Sequence, residues 1–349
     1  MPKRQWTFTN DLSDFDLGQS GARLCVWRHS DALCFVGEHC FPVLLRDPVG
    51  MDRFLLQAEV ACTPESFVGL VFNAADSDNY EMVYVSANNE WELPNLQYDP
   101  IMNGSSTWQI YHGHGYQALV SVPPGEWVKL SVLVQTNVVS VYIGDDSATK
   151  LVVSILKHER VLDGKIGIWG SSSSYVRNLS ILPIESVPLA DPLPTSNQPE
   201  DATFVTEWMV SQPYDADHPS VPEETWRRAH VEDNGTLNLN RFYASPKGSA
   251  VQTKSSFYVA ERQLTRLSFG FSDRLRLWVN EAEVFAGEWI WRAPGNRADG
   301  RIRSDHASVP ILWQAGLNTI RAEVASIEGT FGWGLCVKTE LSNSSITAE

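Results

Sequence analysis

The stretch from Val128 to Gly144 reads VKLSVLVQTNVVSVYIG. Val128, Leu130, Val132 and Val134 fall on one side of an extended chain. Val139, Val141 and Ile143 fall on one side of the next, with Thr136 and Asn137 as a polar turn between. A repeat of two is the signature of a half-buried strand, because side chains alternate across the pleat, whereas a helix face returns every 3.6 residues. The two runs therefore predict an antiparallel hairpin. The same habit recurs along the chain. FVGLVFNA and YEMVYVS flank the polar turn AADSDN, and IGIWG and YVRNLSI follow later. Beyond residue 204, alternation returns in RLSFGFS, RLRLWVN and TIRAEVA. Short amphipathic strands at regular spacing, with no convincing helical stretch in the first half, predict an all-β chain built of jelly-roll-type β-sandwiches.

Length divides this pattern into two. A chain of 349 residues exceeds one ordinary domain. Residues 183–203 carry Pro183, Pro188, Pro192, Pro194 and Pro199. Proline lacks the ladder donor and fixes φ, so this run reads as a semi-extended linker. The expected layout is a sandwich over residues 1–182, a proline-rich linker over 183–203 and a second sandwich over 204–349.

Charge excludes some partners. The formal net charge is -15, and a phosphate backbone needs clustered Lys and Arg, so nucleic acid is not expected. An acidic surface also disfavours anionic membranes, and no run of eighteen apolar residues is present to span a bilayer. The N-terminus, MPKRQWTFTNDLSDFD, has no apolar run of the secretory kind. Five cysteines (Cys25, Cys34, Cys40, Cys62 and Cys336) match no zinc spacing. Reduced thiols in a cytoplasm are the expectation, with a secreted protein whose signal has been trimmed as the alternative. Oligomeric state is not legible.

Residues 55–182 carry, in order, GLVFNAADSDNYEMVYVS, PPGEWVKLSVLVQTNVVSVYIGD, LDGKIGIWG and YVRNLSI. This run resembles the laminin-G-like kind of concanavalin A-like lectin/glucanase sandwich. Residues 204–340, with LNLNRFY, FGFSDRLRLWVNEAEVFAGE, VPILWQAGLNTIRAEV and GTFGWGLCVKTE, resemble a galactose-binding-like jelly roll. The usual "N-G" hairpin turn is replaced there by Asn280-Glu281. The first resemblance implies a saccharide ligand on the concave sheet, where the strand holding Glu81 would cross. The E-x-D-x-x-E run of laminarinase-type enzymes is absent.

The residues themselves supply candidates. Glu81 lies in NYEMVYV on the same strand face as Val83 and Val85, and a carboxylate there must be paired or solvated. Asn73, one strand earlier, is expected nearby. WELPNLQYDPIMNGSSTWQIYH supplies Asn95, Gln97, Tyr98, Trp108, Gln109 and Tyr111. Amides fork onto vicinal hydroxyls and rings stack on pyranose faces, so this mixture suits a neutral sugar, or else closes one end of the core. His112 and His114 are candidates for proton transfer beside Glu81. The glycines between and after them argue for a loop, and a metal would need a third ligand such as Glu81, Asp99 or Glu92. Asp76 and Asp78 could hold calcium, but two carboxylates fall short of its shell and an Asx-type turn is the better reading. No cofactor is expected. Trp289 and Trp291, followed by Arg292 and Arg297, read as packing between domains or as a glycan grip. Nucleophile elbows, phosphate loops, dinucleotide fingerprints and HExxH are all absent.

The reading is a carbohydrate-recognising protein with its site on the first domain. The alternative is a glycoside hydrolase or sugar lyase that uses Glu81 with His112 or His114 as acid and base.

Overall fold

A computed structural model describes residues 3–36, 41–89, 93–136, 138–154, 156–159, 161, 164–171, 173–184, 203–217, 225–292, 299–341 and 346–348. Most of the proline-rich linker, and Cys40, Glu92, Asn137 and Arg297, lie outside these residues. The chain is all-β. Among the described residues the helical turns are two short 3-10 segments, Leu12–Asp14 and Leu239–Arg241, and no helix is long and apolar enough to cross a membrane.

The chain forms two compact units. One comprises Met1–Ile101 with Tyr111–Thr195, the other Met102–Ile110 with Ser196–Glu349. Nine residues between Ile101 and Tyr111, placed by the sequence reading within the first domain, thus group with the second.

In the first unit, one antiparallel sheet runs in the order Leu151–Val153, Val138–Ile143, Val128–Gln135, Arg53–Cys62, Ser174–Pro183, Ser30–Phe35, Arg23–Trp27. The hairpin expected from alternation is present, with Val132 opposite Val141 and Val134 opposite Val139. The second sheet runs Gln117–Ala118, Leu96–Tyr98, Glu81–Ser86, Phe67–Ala74, Lys165–Gly170, Val43–Leu45, Phe15–Asp16. Their facing sides make one continuous core that includes Leu56, Val60, Leu130 and Val132 from the first sheet and Leu70, Phe72, Val83 and Ile168 from the second. Two apolar sheet faces stacked in this way are a β-sandwich.

The second unit repeats the architecture. A sheet in the order Thr203–Phe204, Gly334–Thr339, Gln263–Ser272, Ala307–Trp313 faces one in the order Arg227–His230, Glu207–Val210, Ser249–Val259, Gly316–Ala325, Arg274–Val279, Ala282–Glu288. Its core includes Leu267, Phe269 and Phe271, with Leu275, Leu277, Ile320 and Val324 opposite. On the outer face Trp278 lies between the guanidiniums of Arg276 and Arg321, 4.8 and 4.3 Å from its ring. Arg276 pairs with Glu283 at 2.7 Å.

Candidate functional site

The structure separates the residues singled out in the sequence. Glu81, Asn95, Gln97, Tyr98 and Tyr111 belong to the first unit, and Trp108 and Gln109 to the second.

Glu81 starts the strand Glu81–Ser86 opposite Phe72. Val83 and Val85, two and four residues on, are core residues, so the face that carries Glu81 is the inner one. The carboxylate is fully buried. Tyr98 Oη donates to its Oε2. The backbone N–H groups of Lys157 and His158 donate to Oε1 at 3.1 and 2.7 Å, and His158 Nδ1 stands 3.1 Å from the same oxygen. A buried carboxylate is tolerable only when satisfied in this way. Burial and the facing Glu81 carboxylate push the Tyr98 phenol well above the usual tyrosine range. Asn73 does not join Glu81 directly. Its amide donates to the Glu159 carbonyl at 3.2 Å and accepts from Val161 N at 3.0 Å, so it fixes the same loop that brings Lys157 and His158 in.

The neighbouring polar side chains are likewise turned inward. Gln97 donates to the Tyr111 carbonyl at 2.8 Å and accepts from Gln117 Nε2 at 2.6 Å. Asn95 donates to the Ser86 carbonyl and accepts from Val120 N. Lys157, also buried, places its ammonium 5.2 Å from both the Tyr111 and Tyr116 rings. His112 and His114 sit in a turn rather than a strand. Gly113 has φ 85 and its carbonyl accepts from Tyr116 N and Gln117 N. Asp76 accepts from Asp78 N at 2.8 Å and from Asn79 Nδ2 at 3.1 Å. Among the described residues no three His, Cys, Asp or Glu side chains gather as a metal would need.

An open groove of the first unit lies elsewhere. With a volume of about 670 Å³, it is lined by Glu59, Ser121, Glu126, Trp127, Lys129, Asp145, Asp146 and Lys150, with the exposed Leu119 at its rim. Strand pairing puts Lys129 opposite Glu59. Charge is largely matched within the groove. Lys129 lies 3.7 Å from Asp145, Lys150 lies 2.6 Å from Asp146, and Arg177 binds Glu59 at 2.5 Å while covering Trp127 at 4.4 Å. The Lys150 hydrogen bond holds the Asp146 carboxyl below its ordinary range. The Trp127 indole N–H is buried beneath the groove surface and has no hydrogen-bond partner within the protein. Sequence reasoning missed this groove and missed His158. The groove is assembled from four separate segments, and nothing local marks their meeting.

No family model matches the chain, and no curated protein matches it. Several solved structures are similar in fold. The carbohydrate-binding module CBM66 from Bacillus subtilis aligns at 11% identity and TM-score 0.36 over 48% of this chain and 94% of that one. A Bacillus subtilis protein of unknown function with a galectin-like fold aligns at 13% and 0.37, over 51% and 94%. The exoplasmic/lumenal domain of VIP36, in a Ca2+- and mannose-bound form, aligns at 9% and 0.37, over 51% and 85%. At these identities the function has to be read from the residues.

Proposed function

We propose that the protein binds a saccharide, and that the site is the Trp127 groove of the first unit. The observation that carries this reading is the groove's lining, in which the partly exposed Trp127 side chain stands beside carboxylates and ammonium groups in an open trough. Saccharides present hydroxyls that need both donors and acceptors, and C–H faces that pack on rings. Because Glu59, Asp145 and Asp146 are each matched by a basic side chain and Glu126 adds a further acid, the ligand expected is uncharged rather than a uronate or sulfate. The test is a calorimetric titration with neutral and uronic oligosaccharides, run on the native chain and on Trp127→Ala and Glu81→Gln. Binding of a neutral oligosaccharide that Trp127→Ala loses and Glu81→Gln retains supports the groove. Binding lost in Glu81→Gln but kept in Trp127→Ala moves the site to the interior cluster, and binding by neither class of sugar removes the reading.

A second reading, turnover of a saccharide, has one observation in its favour. Glu81 orients His158 through Nδ1 and leaves Nε2 buried and without a hydrogen-bond partner within the protein, the pairing of a carboxylate-steered base, so turnover would require the loop that carries His158 to open. In this reading His158 would act in place of His112 or His114. Product formation that His158→Asn abolishes would establish it, and its absence from every saccharide that binds would dismiss it.

A further inference from the structure

A sheet that ends in a bare strand offers a row of unpaired N–H and C=O groups to any other chain, and proteins blunt such edges with brevity, charge, proline or a bulge. Most sheet ends in this protein are blunted. In the first unit Leu151–Val153, Gln117–Ala118 and Phe15–Asp16 are two or three residues long. In the second unit Thr203–Phe204 has two residues, and Ala307–Trp313 contains Pro310. Arg227–His230 carries Arg227, Arg228 and His230, and Ala282–Glu288 carries Glu283 and Glu288 beside a shift in register. The strand Arg23–Trp27 is different. It has five residues, no proline and one charge, and among the described residues it pairs with Ser30–Phe35 alone.

Its apolar residues are also exposed where they ought to be covered. Leu24 lies opposite the core residue Leu33, so Leu24 and Val26 stand on the inner face of the sheet. They are nonetheless 42% and 71% exposed, so the facing sheet does not reach beneath them. The backbone at this edge is set by the turn. Trp27 pairs with Ser30 across Arg28 and His29, both at positive φ (46° and 63°), as a type I′ hairpin requires. Such a hairpin closes on a hydrogen-bonded pair. Cys25 and Arg23 therefore bond inward to Ala32 and Cys34, while Leu24 and Val26 turn their N–H and C=O groups to the open edge.

We propose that this edge pairs with the same edge of a second copy of the chain, antiparallel and centred on Cys25, so that the two sheets become one. Parity permits this register because the outward-facing Leu24 and Val26 then exchange both backbone hydrogen bonds with Val26 and Leu24 of the second copy. Centring on Leu24 or on Val26 also satisfies parity, but leaves Trp27 or Arg23 opposite a residue outside the strand. The side chains are complementary in the same register. Leu24 meets Val26 of the second copy on the inner face, which closes the apolar surface left exposed there. On the outer face the strand's one charge, Arg23, falls opposite the Trp27 ring of the second copy rather than opposite its own like. Trp27 is held for that contact by its parallel stack on Tyr175, with centroids 4.0 Å apart.

One strand pair is a small interface beside the roughly 800 Å² a side of a stable complex, so the dimer should be a concentration-dependent equilibrium. Each copy carries a net charge of -15, so added salt should strengthen it by screening their repulsion. The test is sedimentation equilibrium of the full chain from low micromolar to millimolar concentration, with Val26→Lys in parallel. The native chain should move from one copy toward two. Val26→Lys, at an exposed position, should melt as the native chain does and associate about tenfold or more weakly, because the substitution enters the interface twice. A native chain that stays monomeric throughout, or association that Val26→Lys leaves unchanged, overturns the proposal. The register has its own readout. Directly opposite residues of a non-hydrogen-bonded pair have Cα atoms about 4.5 Å apart, within the span of a disulfide. Oxidation of the concentrated protein with copper phenanthroline should therefore link Cys25 to Cys25 of the second copy, as identified by mass spectrometry and lost in Cys25→Ser. A dimer linked through another cysteine, or not linked at all, overturns the register.

Discussion

A single buried carboxylate shows how a residue becomes structural. Glu81 accepts from the Tyr98 hydroxyl, two backbone N–H groups and His158, and it ties the loop holding Lys157 and His158 to the strand Glu81–Ser86. Removing it strands those donors in an apolar interior. Glu81→Ala should cost about 3 kcal/mol of stability in urea unfolding, and Tyr98→Phe about 1 kcal/mol. The calorimetric signal of any saccharide in the Trp127 groove should be unchanged in the folded fraction. A loss for Glu81→Ala within 0.5 kcal/mol of zero would contradict the hydrogen-bond network. The sequence marked Glu81 as unusual because a carboxylate sat among alternating valines. It could not mark His158, which lies 77 positions away.

At the scale of the element, the hairpin turn between Arg274–Val279 and Ala282–Glu288 repays the attention its sequence draws. Val279 pairs with Ala282, leaving Asn280 and Glu281 as a two-residue loop. Both have positive φ, 49° and 67°, as a type I′ turn requires. Asparagine tolerates this and here gains two hydrogen bonds, from Thr319 N to its Oδ1 and from its Nδ2 to Asn318 Oδ1. Glutamate has no such compensation beyond a 3.6 Å ion pair with Arg321, in which it is largely exposed. Such a pair contributes little. Glu281→Gly should therefore raise stability by about 0.5–1 kcal/mol despite the looser unfolded chain. A thermal melt shifted downward would show that the ion pair or the glutamate backbone matters more than the left-handed strain. Elements of this kind are readable from sequence because strand alternation and turn chemistry are local. The hairpins around Thr136 and around AADSDN are present where alternation places them.

At the scale of the molecule, the assignment of Met102–Ile110 to the second unit makes that unit discontinuous in sequence. Its contacts with Asn234, Asn238, Asn240, Ser245 and Glu328 mean that residues 196–349 alone lack part of their own interior. Expressed by themselves, those residues should unfold less cooperatively and at lower temperature, and a synthetic peptide of residues 102–110 added in trans should raise the melting temperature by mass action. The same peptide with Gln109→Ala should do so less well. An isolated 196–349 chain that melts sharply and ignores the peptide would show that the segment is peripheral.

The sequence by itself determined the class of fold. Period-two alternation, turn residues at regular spacing and a chain long enough for two cores specify strands, hairpins and sandwiches, because each of those signals is carried by residues within a few positions of one another. It also identified Asn95, Gln97, Tyr98, Gln109 and Tyr111 as polar and aromatic groups out of the ordinary. Alternation assigns a residue to one of two faces and is silent on which face another sheet covers. Only the tertiary structure turned those side chains inward, brought Gln109 to Glu328 across 219 positions, and left Trp127, unremarkable in sequence, at the wall of an open groove.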